Sequence, residues 1–395
     1  MPLLHDAAAL ARTFANERLL PRLRELEHHG GAPSKHPRPS QDVPLAHLMK
    51  DLADTLGLAD LARDAVQDTA SNEGIMADPE LGAAILTELT RKNPGFALSF
   101  GASLGLCGQS ILRNGTPAQQ REWAQPVLAF DKIGCWALTE PEAGSDAFSL
   151  TTRARRDGDR YVLSGEKAFI TNAPIADTFV VYARIQGADP LDGQIRPFLL
   201  DRADAGLTTS APLEKMGMKS SPTGSIFLDE VPLPFDRLLG DPDVSGKRSA
   251  LTTLLGERAA LAGMSLAIIE ESLELALAYA KERKQFGQPI AQFQAVQLRL
   301  ARMYAAQETV RALIDRGRKL VSEGDASLAF FCAAKYTAST LATTTALEAV
   351  QVLGGAGYCS DHRVEGLARD AKLLEIGGGT SDIQLLAIAK DLLKQ

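Results

Sequence analysis

Apolar and polar positions divide the 395-residue chain into three zones. Residues 1 to 132 are rich in Ala and Leu at helical spacing. Leu81, Ile85, Leu86 and Leu89 keep the three-and-four rhythm until Pro94 breaks it. Inside this zone, positions 30–44 carry Pro33, Pro37, Pro39 and Pro44 and are expected to form a surface loop. From 133 to 245 the period is that of strands. Asp157-Gly158 supplies a hairpin turn, and 179–182, 197–200 and 225–228 are short apolar runs between turn signals. From 246 to 395 helical spacing returns. Ile269, Leu273, Ala276 and Ala280 share a face, with Glu270, Glu271 and Glu274 pointing elsewhere, and helices are expected over 291–322, 326–352 and 381–393. Helices, then strands, then helices predict an α+β multidomain chain: an N-terminal helical domain (1–132), a middle small β-barrel or sandwich (133–245) and a C-terminal helical bundle (246–395).

Composition narrows the function classes. Hydrophobic residues make up 45% and charged residues 23%, as in globular proteins, and the net charge of −7 argues against a nucleic-acid surface. Cys107, Cys135, Cys332 and Cys359 form no C-x-x-C pair, so neither a metal site nor a disulfide framework is expected; they are read as small buried or half-buried hydrophobes in a reduced, cytoplasmic compartment. The six histidines are scattered and read as bystanders. No run of 18 apolar residues occurs, so no membrane span is expected, and Asp6, Glu17, Glu25 and Glu27 interrupt any targeting pattern near the N-terminus.

Two segments carry chemistry. In 136–146 (WALTEPEAGSD), hydroxyls, backbone amides and a glycine follow a strand end, a loop able to hydrogen-bond a planar heterocycle with an anionic tail. In 165–172 (GEKAFITN), Phe169 and Thr171 are two residues apart on one strand face, an aromatic wall beside a hydroxyl. Each alone is equally readable as an ordinary turn or half-buried strand.

Together, in this order and spacing, the two segments resemble those of acyl-CoA dehydrogenases. Lys215-Met216-Gly217 through Thr223, the 283–287 run RKQFG, the 351–357 run QVLGGAG, and Arg369-Asp370-Ala371-Lys372 leading to Gly379-Thr380-Ser381 extend the resemblance over residues 45 to 395. It implies a C-terminal four-helix bundle, with FAD between it and the β domain. Trp136, Leu138, Thr139, Phe169, Ile170 and Thr171 would line the flavin, and Ser145 would stand where flavin and substrate meet. Arg283, Gln285, Phe286, Gln294, Gln351, Gly354, Gly355, Thr380 and Asp382 would contact cofactor, several of them reaching the pyrophosphate and adenosine of an FAD in a neighbouring subunit. A homodimer or homotetramer follows from that sharing. Arg283 suits a pyrophosphate because its planar fork donates several hydrogen bonds.

The family's reaction needs a carboxylate to take the α-proton of an acyl thioester while a flavin accepts the β-hydride. Many members keep that glutamate in a Y-E-G-T-S segment, where this chain has Gly378 within 375–381 (EIGGGTS). A minority, among them isovaleryl-CoA dehydrogenases, carry it instead on a bundle helix before an arginine, and Glu257-Arg258 occupies that place. The expectation is therefore that Glu257 is the base, with Glu375 the alternative. Ser145, Arg258, Gly378 and Gly379 would contact substrate. Leu255 stands where relatives often have Asp, which leaves CoA and an acyl carrier protein both open as the thioester carrier. Small residues at Gly377 and Gly378 favour a short or branched acyl chain. An electron-transferring flavoprotein is the expected electron acceptor. An oxygen-using flavin oxidase or monooxygenase, and a non-catalytic thioester-binding homologue, remain alternative readings.

Overall fold

Strands form where the period-two runs lie. In a computed structural model describing residues 2–29, 43–67, 79–241, 246–324 and 327–393, β1 (Gly134–Ala137), β2 (Arg153–Asp157), β3 (Arg160–Thr171), β4 (Thr178–Gln186), β5 (Ile195–Asp201), β6 (Leu207–Thr209) and β7 (Thr223–Pro234) make one seven-stranded sheet. The order is β1-β4-β2-β3-β7-β6, with β5 also on β4. The expected hairpin joins β2 to β3, with Asp157 paired to Arg160 and Gly158 at φ 63°. Phe179, Val181, Ala183 and Ile185 enter the sheet core, and Val180 and Tyr182 on the opposite face are buried as well, so β4 is covered on both sides. Of the Pro-rich stretch, positions 30–42 lie outside the described residues.

The chain clusters into two units. The first holds Met1–Ile85, Phe96–Glu214 and Lys219–Thr253; the second holds Leu86–Gly95, Lys215–Met218 and Leu254–Gln395. In the first, Phe96 stacks on Phe100 and Phe100 on Phe130, at 6.3 and 4.3 Å between centroids, among the helices that precede the sheet. Pro44 opens the helix Pro44–Thr55 at a position where its missing N–H costs nothing.

Helices dominate the second unit: most of Gly246–Glu282, then Gln294–Ser322, Leu328–Leu353, Val364–Leu374 and Ser381–Leu392. Ser327 caps Leu328–Leu353 by accepting from Phe330 N, and Thr380 caps Ser381–Leu392 by accepting from Ile383 N. Glu271, only 2% exposed, accepts from Arg91, Lys92 and Arg363 and ties the 86–95 segment to the bundle.

One expectation changes. Cys107, Cys135 and Cys332 are buried, but Cys359 is exposed. The helical run Pro94–Asn114 is long and apolar enough to cross a membrane by length and composition, although no unbroken apolar run marks it. Ser99, Ser103, Gln109 and Ser110 interrupt the sequence, and 67% of its most apolar window is buried inside the protein, as in a core helix. Among the described residues, no group of three metal-ligating side chains occurs.

Candidate active site

The two β-domain segments are locked together by a buried ion pair. Lys167 Nζ donates to Glu140 Oε1 at 2.8 Å and to the Leu138 carbonyl at 3.1 Å, and Ala168 N donates to the Thr139 carbonyl at 3.0 Å. Glu140 also accepts from the amides and hydroxyls of Thr151 and Thr152. Burial alone would raise the Glu140 carboxyl; the charge and hydrogen bond of Lys167 and the threonine donors outweigh it and hold it at about 2. Glu140 is thus a structural anion.

Between Lys167 and Ile170 the β3–β7 register shifts, and in that bulge Phe169 takes φ 59° with its side chain 69% exposed. A non-glycine residue in the left-handed region that also exposes its ring is strained and poorly solvated, which suits a face that receives a flat ligand. Three residues on, Asn172 at φ 68° donates to the carbonyls of Ser99 and Gly134 and pins the end of the strand. Thr139 and Thr171 are half-buried and Ser145 is exposed. Leu138 and Ile170 are buried. Trp136 is half-buried, its ring edge-on to Tyr182 at 5.2 Å. The β-domain residues therefore fit an isoalloxazine.

In the second unit, a turn rich in glycine precedes Ser381–Leu392. Gln384 Nε2 donates to the carbonyls of Gly378 and Gly379 at 3.1 and 2.9 Å, Lys335 Nζ to Gly379 at 2.8 Å, and Arg258 Nε to Gly378 at 3.5 Å. A Cβ placed on Gly378 would lie 3.5 Å from Glu257 Cδ and 3.6 Å from Oε2. The helix carboxylate thus reaches the point where a side chain at position 378 would start. The same Cβ would lie 2.8 Å from Leu261 Cδ1, so part of the volume expected to be free beside Gly378 is filled by Leu261.

Burial pushes the Glu257 carboxyl up to about 7, with Lys335 and then Arg258 pulling the other way. Glu375 behaves differently. Thr343 Oγ1 donates to one of its oxygens and Lys372 Nζ to the other, and these donors outweigh burial and keep its pKa below the ordinary value. Of the two candidate carboxylates, only Glu257 is poised near neutrality.

The remaining expected residues are exposed: Arg283, Gln285, Phe286, Gln294, Gln351, Gly354, Gly355 and Asp382. The helix ends and hairpin that carry Arg283 and Gln351–Gly355 pack on one apolar cluster containing Ala280, Ile290, Val296, Val352 and Leu353. Gly354 lies at φ 61°, ψ −134°, a region that excludes a side chain. Thr380 is used as a helix cap. Lys335 was not legible in the sequence as a site residue, since nothing in its neighbourhood distinguishes it from a surface lysine.

The first unit presents a face for a flat ligand, and the second a carboxylate whose pKa is raised to about 7. Family comparison makes the class specific: residues 5–131, 135–231 and 245–393 match the N-terminal, middle and C-terminal domain models of acyl-CoA dehydrogenase. The chain belongs to the acyl-CoA dehydrogenase family. It is 41% identical over 299 residues to a probable acyl-CoA dehydrogenase, YngJ, of Bacillus subtilis (strain 168), covering 75% of this chain and 78% of that one. It is 34% identical over 317 residues to the mitochondrial isovaleryl-CoA dehydrogenase of Arabidopsis thaliana, covering 78% and 75%. Among solved structures it is similar to a glutaryl-CoA dehydrogenase from Mycobacterium smegmatis in complex with FADH2, with a TM-score of 0.86, 28% identity, and 99% and 95% of the two chains covered.

Proposed function

We propose that this protein is an FAD-dependent dehydrogenase of a short or branched acyl-CoA and that Glu257 is its base. The observation that carries the reading is the approach of the Glu257 carboxyl to the position that Gly378 leaves without a side chain. Glu257 removes the proton from the acyl α-carbon, and the electron pair of that C–H bond forms the α,β double bond as the β-hydride departs. Bound FAD supplies the acceptor for that hydride. A base near 7 is half ionised at working pH yet keeps enough basicity to take the proton. The rigid Thr139–Phe169 face orients the isoalloxazine, and Arg258, largely buried, is available to the thioester arm.

Glycine at 377 and 378, with Leu261 filling only part of the space, supports a small branch beside the reacting carbons. An electron-transferring flavoprotein is the proposed acceptor, in a homodimeric or homotetrameric enzyme. The test is anaerobic bleaching of the bound flavin by a panel of acyl-CoA thioesters. Glu257→Gln keeps the shape and is expected to retain FAD while slowing bleaching by at least about a hundredfold. A near wild-type rate in that variant places the base elsewhere. Fast reoxidation of the bleached enzyme by air makes oxygen the acceptor.

A further inference from the structure

Lys335 is fully buried, and burying an ammonium is costly unless hydrogen bonds and a counter-charge meet it. Its ammonium donates a hydrogen bond to the Gly379 carbonyl, in the residue next to Gly378. A carbonyl offers a partial charge only. Two carboxylates act on the ammonium, Glu257 and Glu375, and both oxygens of Glu375 already accept from Thr343 and Lys372. Glu257 is the carboxylate left to complement it, and its carboxyl stands at the same turn that Lys335 holds.

We propose that Lys335 is a positioning residue that clamps the Gly377–Gly379 turn beside Glu257 and supplies the counter-charge that lets this base ionise. The proposal rests on Glu257 being the base. The other charged or titratable groups of the cluster are Arg258 on the base's own helix, Cys332 on that of Lys335, and Glu375 after Val364–Leu374. Burial lowers the Lys335 ammonium to about 8, with Glu257 pulling it back up, so it remains mostly charged at pH 7. An ammonium facing a carboxylate favours the ionised form of both. Arg258 adds a smaller counter-charge and reaches the Gly378 carbonyl from the base's own helix, whereas Lys335 closes the turn from another.

The experiment uses the holoenzyme with Lys335→Met, Lys335→Gln and Lys335→Arg. Infrared titration follows the Glu257 carboxyl in the substrate-free enzyme, its band assigned by its loss in Glu257→Gln. Anaerobic stopped flow follows the pH profile of flavin bleaching by a reactive acyl-CoA. In the Met and Gln variants the carboxyl midpoint should rise by about one pH unit, and the acidic limb of the bleaching profile should move with it. Lys335→Arg restores the charge and should return both towards wild type. Lys335→Gln keeps a donor for the Gly379 carbonyl, so it separates charge from clamp even if the Met variant folds poorly. Slower bleaching at every pH with an unmoved midpoint and limb overturns the proposal and leaves Lys335 a packing residue. A shifted carboxyl with no thioester able to bleach the flavin supports the charge coupling and overturns the dehydrogenase reading instead.

Discussion

Burial gives Glu257 a useful basicity and a stability cost together. Unfolded, its carboxyl titrates at its ordinary 4.5; folded, at about 7. The folded state holds the proton over that interval while the unfolded state has lost it. Stability contributed by the protonated group is therefore full below 4.5 and falls as pH rises through about 7, by up to about 3 kcal/mol. Glu257→Gln lacks the penalty. Its melting temperature is expected to match wild type near pH 5 and exceed it by a few degrees at pH 8. An equal offset at both values would mean that the carboxyl is not held in this environment. Glu375 contrasts with it: two donors fix its charge and occupy its oxygens.

At the scale of elements, the face proposed for the flavin depends on a cross-link more than on either segment alone. Lys167 joins β3 to the 138–140 loop through one carboxylate and one carbonyl, all buried. Lys167→Met leaves the Glu140 anion with threonine donors only. Removing one partner of a buried pair costs about 3–5 kcal/mol, so a markedly lower melting temperature and weaker FAD retention are expected. Adding Glu140→Gln should recover part of the loss, because the stranded charge is gone; a double variant no better than the single one would locate the damage elsewhere. A second clip of this kind explains two other motifs. Met218 N donates to Asp370 Oδ1 and Arg369 Nη1 donates to the Met216 carbonyl, while a Cβ on Gly217 would lie 2.4 Å from the Arg369 backbone. Glycine there is a requirement of close approach.

At the scale of the whole molecule, the second unit carries strongly exposed aromatic side chains. Phe286 is 94% exposed at φ 51°, and Tyr358 is 85% exposed, both near the residues expected to meet a neighbouring subunit's cofactor. Arg283→Ala removes the fork proposed for that pyrophosphate. FAD should dissociate more readily from this variant on gel filtration, with the unit's own melting temperature little changed. Light scattering should give a dimer or tetramer for wild type. A monodisperse monomer that is fully active would end the composite-site reading.

The order of elements was legible because helix and strand signals are local properties: the 3.6-residue rhythm after position 246 and the short apolar run of β4 between turn signals need only near neighbours. The family was legible because motif order along the chain is local too, and residues 5–131, 135–231 and 245–393 match its three domain models. Three decisive features were not. Lys335 and the Gly379 carbonyl are 44 positions apart, and Arg258 and the Gly378 carbonyl are 120 apart. Leu261 fills the space beside Gly378 only because its helix packs on that turn. Desolvation and counter-charge depend on which groups lie together in space, so which carboxylate is raised towards neutrality, and which lysine acts on it, are decided by tertiary packing and not by the spelling of either segment.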